Sequence, residues 1–327
     1  DVMRAGAAPA PVGQAPEAKR EAPSSLLSLP EDVGGVLTAQ GKFVIEPSFS
    51  FSTSQVNRFT FRGIEIIDTV LIGIVDAEDV DRDTYTWSLT GRYGLTNRIE
   101  LEAKLPYIWR DDRLTATQNV AGTDVDVSRD QDGNGIGDIE LAAHYQINQG
   151  TGGWPFLIGN LRYKSTTGEG PFDVSRDSGG IETDLATGSG FHSVEGSVTM
   201  LYPTAPAVLF GNIGSLFTKQ DGVNKMIGSS FIGEVDPGDA VRTSFGMAYS
   251  VNERLSFTIG YKHDFIFQTD TVINGVTIHQ ADLDVGSLLF GYGFQLTPKV
   301  GLNLNVEIGA TDDAPDAAVT VRLPIKM

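Results

Sequence analysis

The sequence predicts an all-β fold: a transmembrane antiparallel up-and-down β-barrel of twelve strands, with a short N-terminal helix inside the lumen. Three observations carry this expectation. From residue 43 onward apolar residues recur at every second position, in segments of about 9–11 residues, the length that crosses a bilayer when tilted. The connections between segments alternate short and long. The longest apolar run, Val70 to Val75, is far below the roughly 20 residues of a membrane helix, so only strands could span. Composition fits the same class. Glycine is 38 of 327 residues, about 12% against an average near 7%. Cysteine is absent, which suits passage through an oxidising periplasm. A net charge of −18 excludes a general polyanion binder, so no nucleic-acid partner is expected. No basic-then-apolar leader precedes Asp1, and a processed chain is the expectation.

Residues 1–23 are rich in alanine and proline and poor in large apolar side chains. They cannot bury enough surface to offset their conformational entropy and read as a flexible periplasmic linker. Residues 24–42 read as a short helix. Ser28 and Glu31 have capping-box spacing, Pro30 suits the first helical position, and Gly41 suits the position past the end. Gly34 and Gly35 each cost about 1 kcal/mol relative to alanine, so this helix needs a packing partner. It sits directly before the first strand, at the periplasmic mouth. It is therefore expected either to enter the lumen as a plug or to lie outside.

Residues 43–327 form the barrel. Ile99, Leu101, Ala103, Leu105, Tyr107 and Trp109 alternate with Arg98, Glu100, Glu102 and Lys104. Val300, Leu302, Leu304, Val306 and Ile308 alternate with Asn303, Asn305 and Glu307. Strands are expected at 43–53, 84–94, 98–109, 137–147, 155–166, 189–202, 207–218, 240–251, 254–267, 282–296, 299–311 and 317–327. Ile64–Val75 is strand-like and is assigned to an extension of the first hairpin; counting it with a partner gives fourteen strands as the alternative. Short turns fall near 95–97, 148–153, 203–206, 252–253 and 297–298. Long loops fall near 111–135, 167–187, 220–239 and 268–280. One trimmed end and one ornamented end is the habit of outer-membrane barrels, with the short turns in the periplasm. The expected location is the bacterial outer membrane, in contact with lipid and lipopolysaccharide, with the N-terminus in the periplasm. Tyr93, Trp154 and Tyr202 near the short turns, and Tyr85, Trp109 and Phe267 near the long loops, suit two interfacial girdles.

The run from Leu29 through Val33-Gly34-Gly35-Val36-Leu37 and Gly41 to Phe43, continuing into Glu46-Pro47-Ser48-Phe49, resembles the outer-membrane exporter of the Fap functional-amyloid system of pseudomonads, the FapF-type pore. The hairpin Arg92 to Leu101 and the Gly135-Ile136-Gly137-Asp138-Ile139 segment resemble a broader barrel family linked to aromatic-compound degradation. The first resemblance implies a trimeric twelve-stranded barrel with an internal helical plug, exporting unfolded amyloid subunits from the periplasm to the cell surface. The sequence departs from it in lacking a heptad segment for a trimerisation coiled coil. It also ends in Met327, where many outer-membrane barrels end in an aromatic residue.

Candidate residues follow. Leu26, Leu27, Leu29, Val33 and Leu37 would hold the plug against the wall, and Glu31 and Asp32 would pair with basic lumen residues. Alternation places Glu100, Glu102, Lys104, Glu140, His144, Arg162, Lys164, Glu195, Arg242, Lys262, Glu307 and Arg322 on the pore-lining face. Both signs occur, so no simple ion sieve is expected. Asp130, Asp132, Asn134 and Asp138 have the spacing of a calcium loop in an extracellular connection, although Leu141 occupies the twelfth position, where an EF-hand needs a bidentate acid. The competing reading is an ordinary Asp/Asn/Gly turn. No other cofactor and no catalytic group is expected: the four histidines lack a nucleophile partner at working spacing, and no G-x-S-x-G, H-E-x-x-H or P-loop occurs. Two functions remain open, a plugged exporter of unfolded amyloid subunits and a diffusion or uptake channel for small, including aromatic, compounds.

Overall fold

The structure, a computed structural model, describes Leu29 and residues 37–57, 78–120, 123–148, 150, 153–176, 182–227 and 230–327. These residues form β1 (Phe43–Asn57), β2 (Glu78–Gly94), β3 (Ile99–Val120), β4 (Thr123–Ile136), β5 (Glu140–Gln146), β6 (Phe156–Lys164), β7 (Ser193–Thr204), β8 (Ala207–Thr218) and β9 (Asp221–Ile227). The chain continues with β10 (Ser230–Asp236), β11 (Ala240–Ser250), β12 (Leu255–Ile266), β13 (Asp270–Ile273), β14 (Val276–His279), β15 (Leu283–Thr297), β16 (Val300–Gly309), β17 (Ala317–Arg322) and β18 (Ile325–Lys326).

Twelve antiparallel strands make the wall, in the order β1, β2, β3, β5, β6, β7, β8, β11, β12, β15, β16 and β17, with β18 continuing β17. The barrel closes where β17 returns to β1, from Ser48 opposite Arg322 to Thr53 opposite Ala317. Closure leaves no edge, which a sheet in lipid requires, because unpaired backbone groups find no water there. The fourteen-strand alternative is not what closes the wall. Its extra segment, Ile64–Val75, lies outside the described residues.

The period of two gives the wall its faces. Directly opposed residues share a face, so one register fixes the orientation of all twelve strands. Trp87, Leu105, Phe245, Ile259 and Tyr292 point outward and stay exposed, as one continuous apolar band rather than scattered residues. Such a band is too large for a water-soluble surface and suits lipid. Aromatic side chains pack along it, with Phe49–Trp87 centroids 5.2 Å apart and Tyr249–Phe257 5.4 Å apart.

The short turns are built by side-chain capping. Thr96 Oγ1 accepts from the N–H groups of Arg98 and Ile99, and Asn252 Oδ1 accepts from those of Arg254 and Leu255. These local bonds let the chain reverse in a few residues. The long end departs from the sequence expectation. Residues 111–135, expected as a loop, extend β3 and form β4, a hairpin standing above the wall; β5 takes over pairing with β3 only from Lys104 downward. The expected loops at 220–239 and 268–280 are hairpins too, and they combine in the order β14-β13-β10-β9. Asn274 and Gly275, with φ of 52° and 82°, make the tight turn between β13 and β14 that a two-residue hairpin requires. This small sheet has its own core of Ile227, Ile232 and Val235, closed by Phe172 and Phe191 from the 165–192 connection.

Candidate functional site in the barrel lumen

The register sets the eleven charged residues from Glu100 to Arg322 and His144 on the inward face and pairs most of them between neighbouring strands. Arg162 lies 3.6 Å from Glu140, Arg242 lies 3.0 Å from Glu195, and Lys262 pairs with Glu307. Lys164 reaches Asp138 at 3.8 Å. Lys104 sits level with Glu46 and Glu140 on the same inward row.

Two buried residues outside that set organise the rest. Arg92 donates to Glu46 at 3.2 Å and to Glu102 at 2.6 Å. Glu46 also lies 3.8 Å from Arg322, and Glu102 lies 3.9 Å from His144. His144 Nδ1 is 2.8 Å from Asn160 Oδ1, and the Asn160 amide donates to Ser197 and Thr199, which also accept from Asn212. A belt of polar contacts thus runs along the inner wall from β17 through β1, β2, β3, β5, β6 and β7 to β8. The remaining arc, β11 to β16, has its own pairs, Lys262 with Glu307 and Arg242 with Asp264 at 3.5 Å. Gly246 and Gly260 lie beneath the Phe210 ring, so a Cβ at either would meet it.

Leu29 spans this lumen. Its side chain is buried among Ile158, Leu201, Val208, Phe210 and Ala248, from β6, β7, β8 and β11, with Leu37 and Phe156 alongside. Its carbonyl oxygen accepts from Arg322 Nη2 at 2.6 Å, on β17, half the circumference away. The segment reaches the lumen along β2: Thr38 N donates to the buried Glu100 carboxylate at 2.6 Å, and Gly41 N to Gly94 O at 2.8 Å. Gly94 has to be glycine, because a Cβ would collide with the carbonyl oxygens of Thr38 and Ala39. Residues 37–40 are extended, not helical, which corrects the C-terminal end of the expected helix. Leu26, Leu27, Glu31, Asp32 and Val33 lie outside the described residues. Arg322 bonds the Leu29 main-chain carbonyl and lies 3.8 Å from Glu46, and the expected pairing of basic lumen residues with Glu31 and Asp32 lies outside the described residues.

The long-loop end is narrowed by residues 182–188. They lie along the inward face of β4, where Gly133 and Gly135 clear a track for their backbone. Arg110 donates to Ala186 O at 3.1 Å, and Gln131 to Glu182 O at 2.6 Å. Buried Asp138 anchors the segment by accepting from Gly168 N, Ser189 N and Ser189 Oγ at 2.7–3.1 Å. This explains the calcium-like spacing differently. Asp130, Asp132 and Asn134 are alternate residues of β4 on its outward side, while Asp138 faces in. Asp130 instead binds Arg113 at 2.9 Å, a hydrogen bond that raises the guanidinium pKa, and Asn134 accepts from Tyr107 at 2.8 Å. Among the described residues no three acidic or histidine groups converge to hold a metal ion.

The histidines are dispersed: His192 meets Tyr163, His263 meets Tyr261, and His279 meets Asp270. Sequence reasoning overlooked Glu46, Arg92, Asn160 and Asn212. The two-residue period already placed each on the polar face: Asn160 and Asn212 carry no charge and share strands with inward apolar residues, and the faces of the strands holding Glu46 and Arg92 were not read.

No family model matches this chain. Among solved structures it is similar to the COG4313 outer membrane channel from Pseudomonas putida F1, with a TM-score of 0.61 and 14% identity over 91% of this chain and 99% of that one. It also aligns with the transport unit of the autotransporter AIDA-I from Escherichia coli, at TM-score 0.49 and 10% identity over 88% and 90%. A third is the Pseudomonas putida toluene transporter TodX, at TM-score 0.40 and 10% identity over 88% and 89%. Of these three, the channel shares the architecture; identity this low speaks to fold alone.

Proposed function

We propose that this chain is an outer-membrane channel held shut at rest by its own N-terminal segment, and that its cargo is an unfolded polypeptide leaving the periplasm. The observation that carries the reading is Leu29, which bridges opposite inner walls through an apolar cup on one side and Arg322 on the other. A freely diffusing solute needs no tethered obstruction, whereas a wide export path leaks unless it is closed. The resemblance of residues 29–51 to the Fap exporter adds the amyloid-subunit class of cargo. Deleting residues 1–41 is expected to raise single-channel conductance in planar bilayers. A deletion that conducts no more than the parent removes the reading's main support.

A second reading, uptake of small apolar compounds, is favoured by the apolar cup that holds Leu29 within an otherwise polar lumen. It expects a parent channel that is already open and selective for such solutes.

A further inference from the structure

The small sheet at the long-loop end finishes in two strands that each pair on one side only, and the two differ. β9, at one end, is poorly shaped for a further partner. Asn224 has a φ of 49°, the register with β10 shifts between Ile232 and Glu234, and Lys225 pairs with Asp173 of the 165–192 connection. A kink and a lysine protect an open edge from stray pairing. β14, at the other end, has neither. Val276, Thr277, Ile278 and His279 pair with β13 in unbroken register, and all four are exposed. The hairpin is also held firmly. At its turn Phe231 N donates to Asn274 Oδ1 and Asn274 N to Phe231 O, both at 2.8 Å, and at its far end Gln280 N donates to Thr269 O at 2.9 Å.

The register fixes which groups are free. In a two-residue hairpin the pair beside the turn, here Ile273 and Val276, exchanges main-chain hydrogen bonds, and such pairs alternate along the ladder. Val276 and Ile278 therefore bond to β13, while the N–H and C=O of Thr277 and His279 point away from it. The side chains add a second requirement. Val276 lies opposite Ile273, itself opposite Ile232; Ile278 lies opposite Thr271, itself opposite Val235. Both rows begin in the buried core of the sheet and end at β14, where Val276 is 65% and Ile278 41% exposed. Core rows that stop short, beside main-chain groups that face outward, specify one kind of neighbour: a strand with apolar residues at alternate positions.

The mouth supplies such a strand. The 165–192 connection narrows the mouth with residues 182–188 and closes the core of the small sheet with Phe172 and Phe191. A polypeptide leaving the lumen emerges beside this sheet while the rest of it is still held inside. Its effective concentration at the edge is then high, and a four-residue strand is enough to catch it. We infer that β14 is a docking edge for the leading segment of the exported polypeptide, which adds as a strand and continues the Val276 and Ile278 rows. This rests on the export reading and names where the cargo is received. A segment paired outside no longer slides back, so docking gives export its direction.

The test measures fluorescence anisotropy of labelled acetyl-Thr-Val-Thr-Val-Thr-amide with the full chain in micelles. With its valines opposite Val276 and Ile278, its threonines supply the main-chain bonds. A second peptide is N-methylated at the three threonines, and a third carries aspartate for both valines. Each is expected to bind at least about fivefold more weakly than the first, the size of one net hydrogen bond. Thr277→Pro removes an outward N–H and no ladder bond, and Ile278→Lys puts a charge in the apolar row. Both should weaken binding of the first peptide about fivefold or more, with heat-dependent gel migration and the resting single-channel record unchanged. Absence of binding, equal binding of the N-methylated peptide, or variants that bind as the parent does overturns the docking edge. Dimers of the full chain that Thr277→Pro abolishes, with no peptide bound, assign the edge to a second copy and overturn it too. Export is judged separately by the conductance of the chain lacking residues 1–41, which does not involve β14, so either reading can fail alone.

Discussion

Replacing Leu29 by alanine separates a gate from a structural cork. The side chain is 3% exposed and packed on five buried wall residues, Ile158, Leu201, Val208, Phe210 and Ala248. Truncating a leucine in such a site costs about 2.7–5 kcal/mol, part of it lost transfer and part the cavity left behind. Leu29 belongs to a segment that enters the lumen, not to the wall, so this cost falls on seating and not on the barrel ladder. At 1.4 kcal/mol per tenfold, the seated-to-unseated ratio should fall by about 100-fold or more. Single-channel recording should show frequent or sustained openings in Leu29→Ala where the parent is quiet. Urea unfolding of the barrel in micelles should stay close to the parent. An unchanged record would mean that Leu29 does not close the path. A markedly less stable barrel would mean that Leu29 is part of the core instead of a gate.

Other substitutions test the remaining links. Arg92→Ala strips the shared partner from the buried Glu46 and Glu102 carboxylates, and should cost about 3–5 kcal/mol in urea unfolding because two buried charges lose their main partner. Gly94→Ala should open the channel without that loss, since its Cβ would collide first with the Thr38 and Ala39 carbonyls; conductance and unfolding measured side by side decide it. Gly133→Ala drives a Cβ into Leu185 and should loosen residues 182–188, read as faster proteolysis within that segment in intact cells. Phe245→Arg places a charge on the lipid face of β11 and should destabilise by about 2–4 kcal/mol if it lies near the midplane, whereas Ser244→Arg, on the inward face, should cost less.

The wall was legible because one physical constraint acts on every residue of it. Lipid outside and a polar lumen inside force alternation, and a strand that must cross has little freedom in length. The strand expected at 207–218 and the observed Ala207–Thr218 coincide for that reason. Beyond the membrane the constraint lapses. Asp, Gly and Asn in 124–138 look like a turn by composition, yet β3 continues upward and imposes its ladder on them, so they become β4. The alternate glycines Gly133 and Gly135 are the trace of this in the sequence: glycine at every second position on one face leaves room for a backbone lying against that face. The small sheet of β9, β10, β13 and β14 was harder to see, because its core draws on Phe172 and Phe191 from a third connection.

The lumen shows why charge alone was an incomplete guide to its function. Eleven charged residues and His144 on the inner face suggest a conduit lined by ions, but most are paired with neighbouring side chains. Along the arc from β17 to β8 Arg322, Glu46, Arg92, Glu102, His144, Asn160 and Asn212 are linked in series. Removing one member strands its neighbours, so this arc is expected to be rigid. The opposite arc carries separate pairs, Lys262 with Glu307 and Arg242 with Asp264, and two glycines beneath a phenylalanine ring. Among the described residues Leu29 crosses the lumen. It is held by an apolar cup on β6, β7, β8 and β11 and by Arg322, the last member of the belt, so its seating draws on the same series of contacts that ties the belt together.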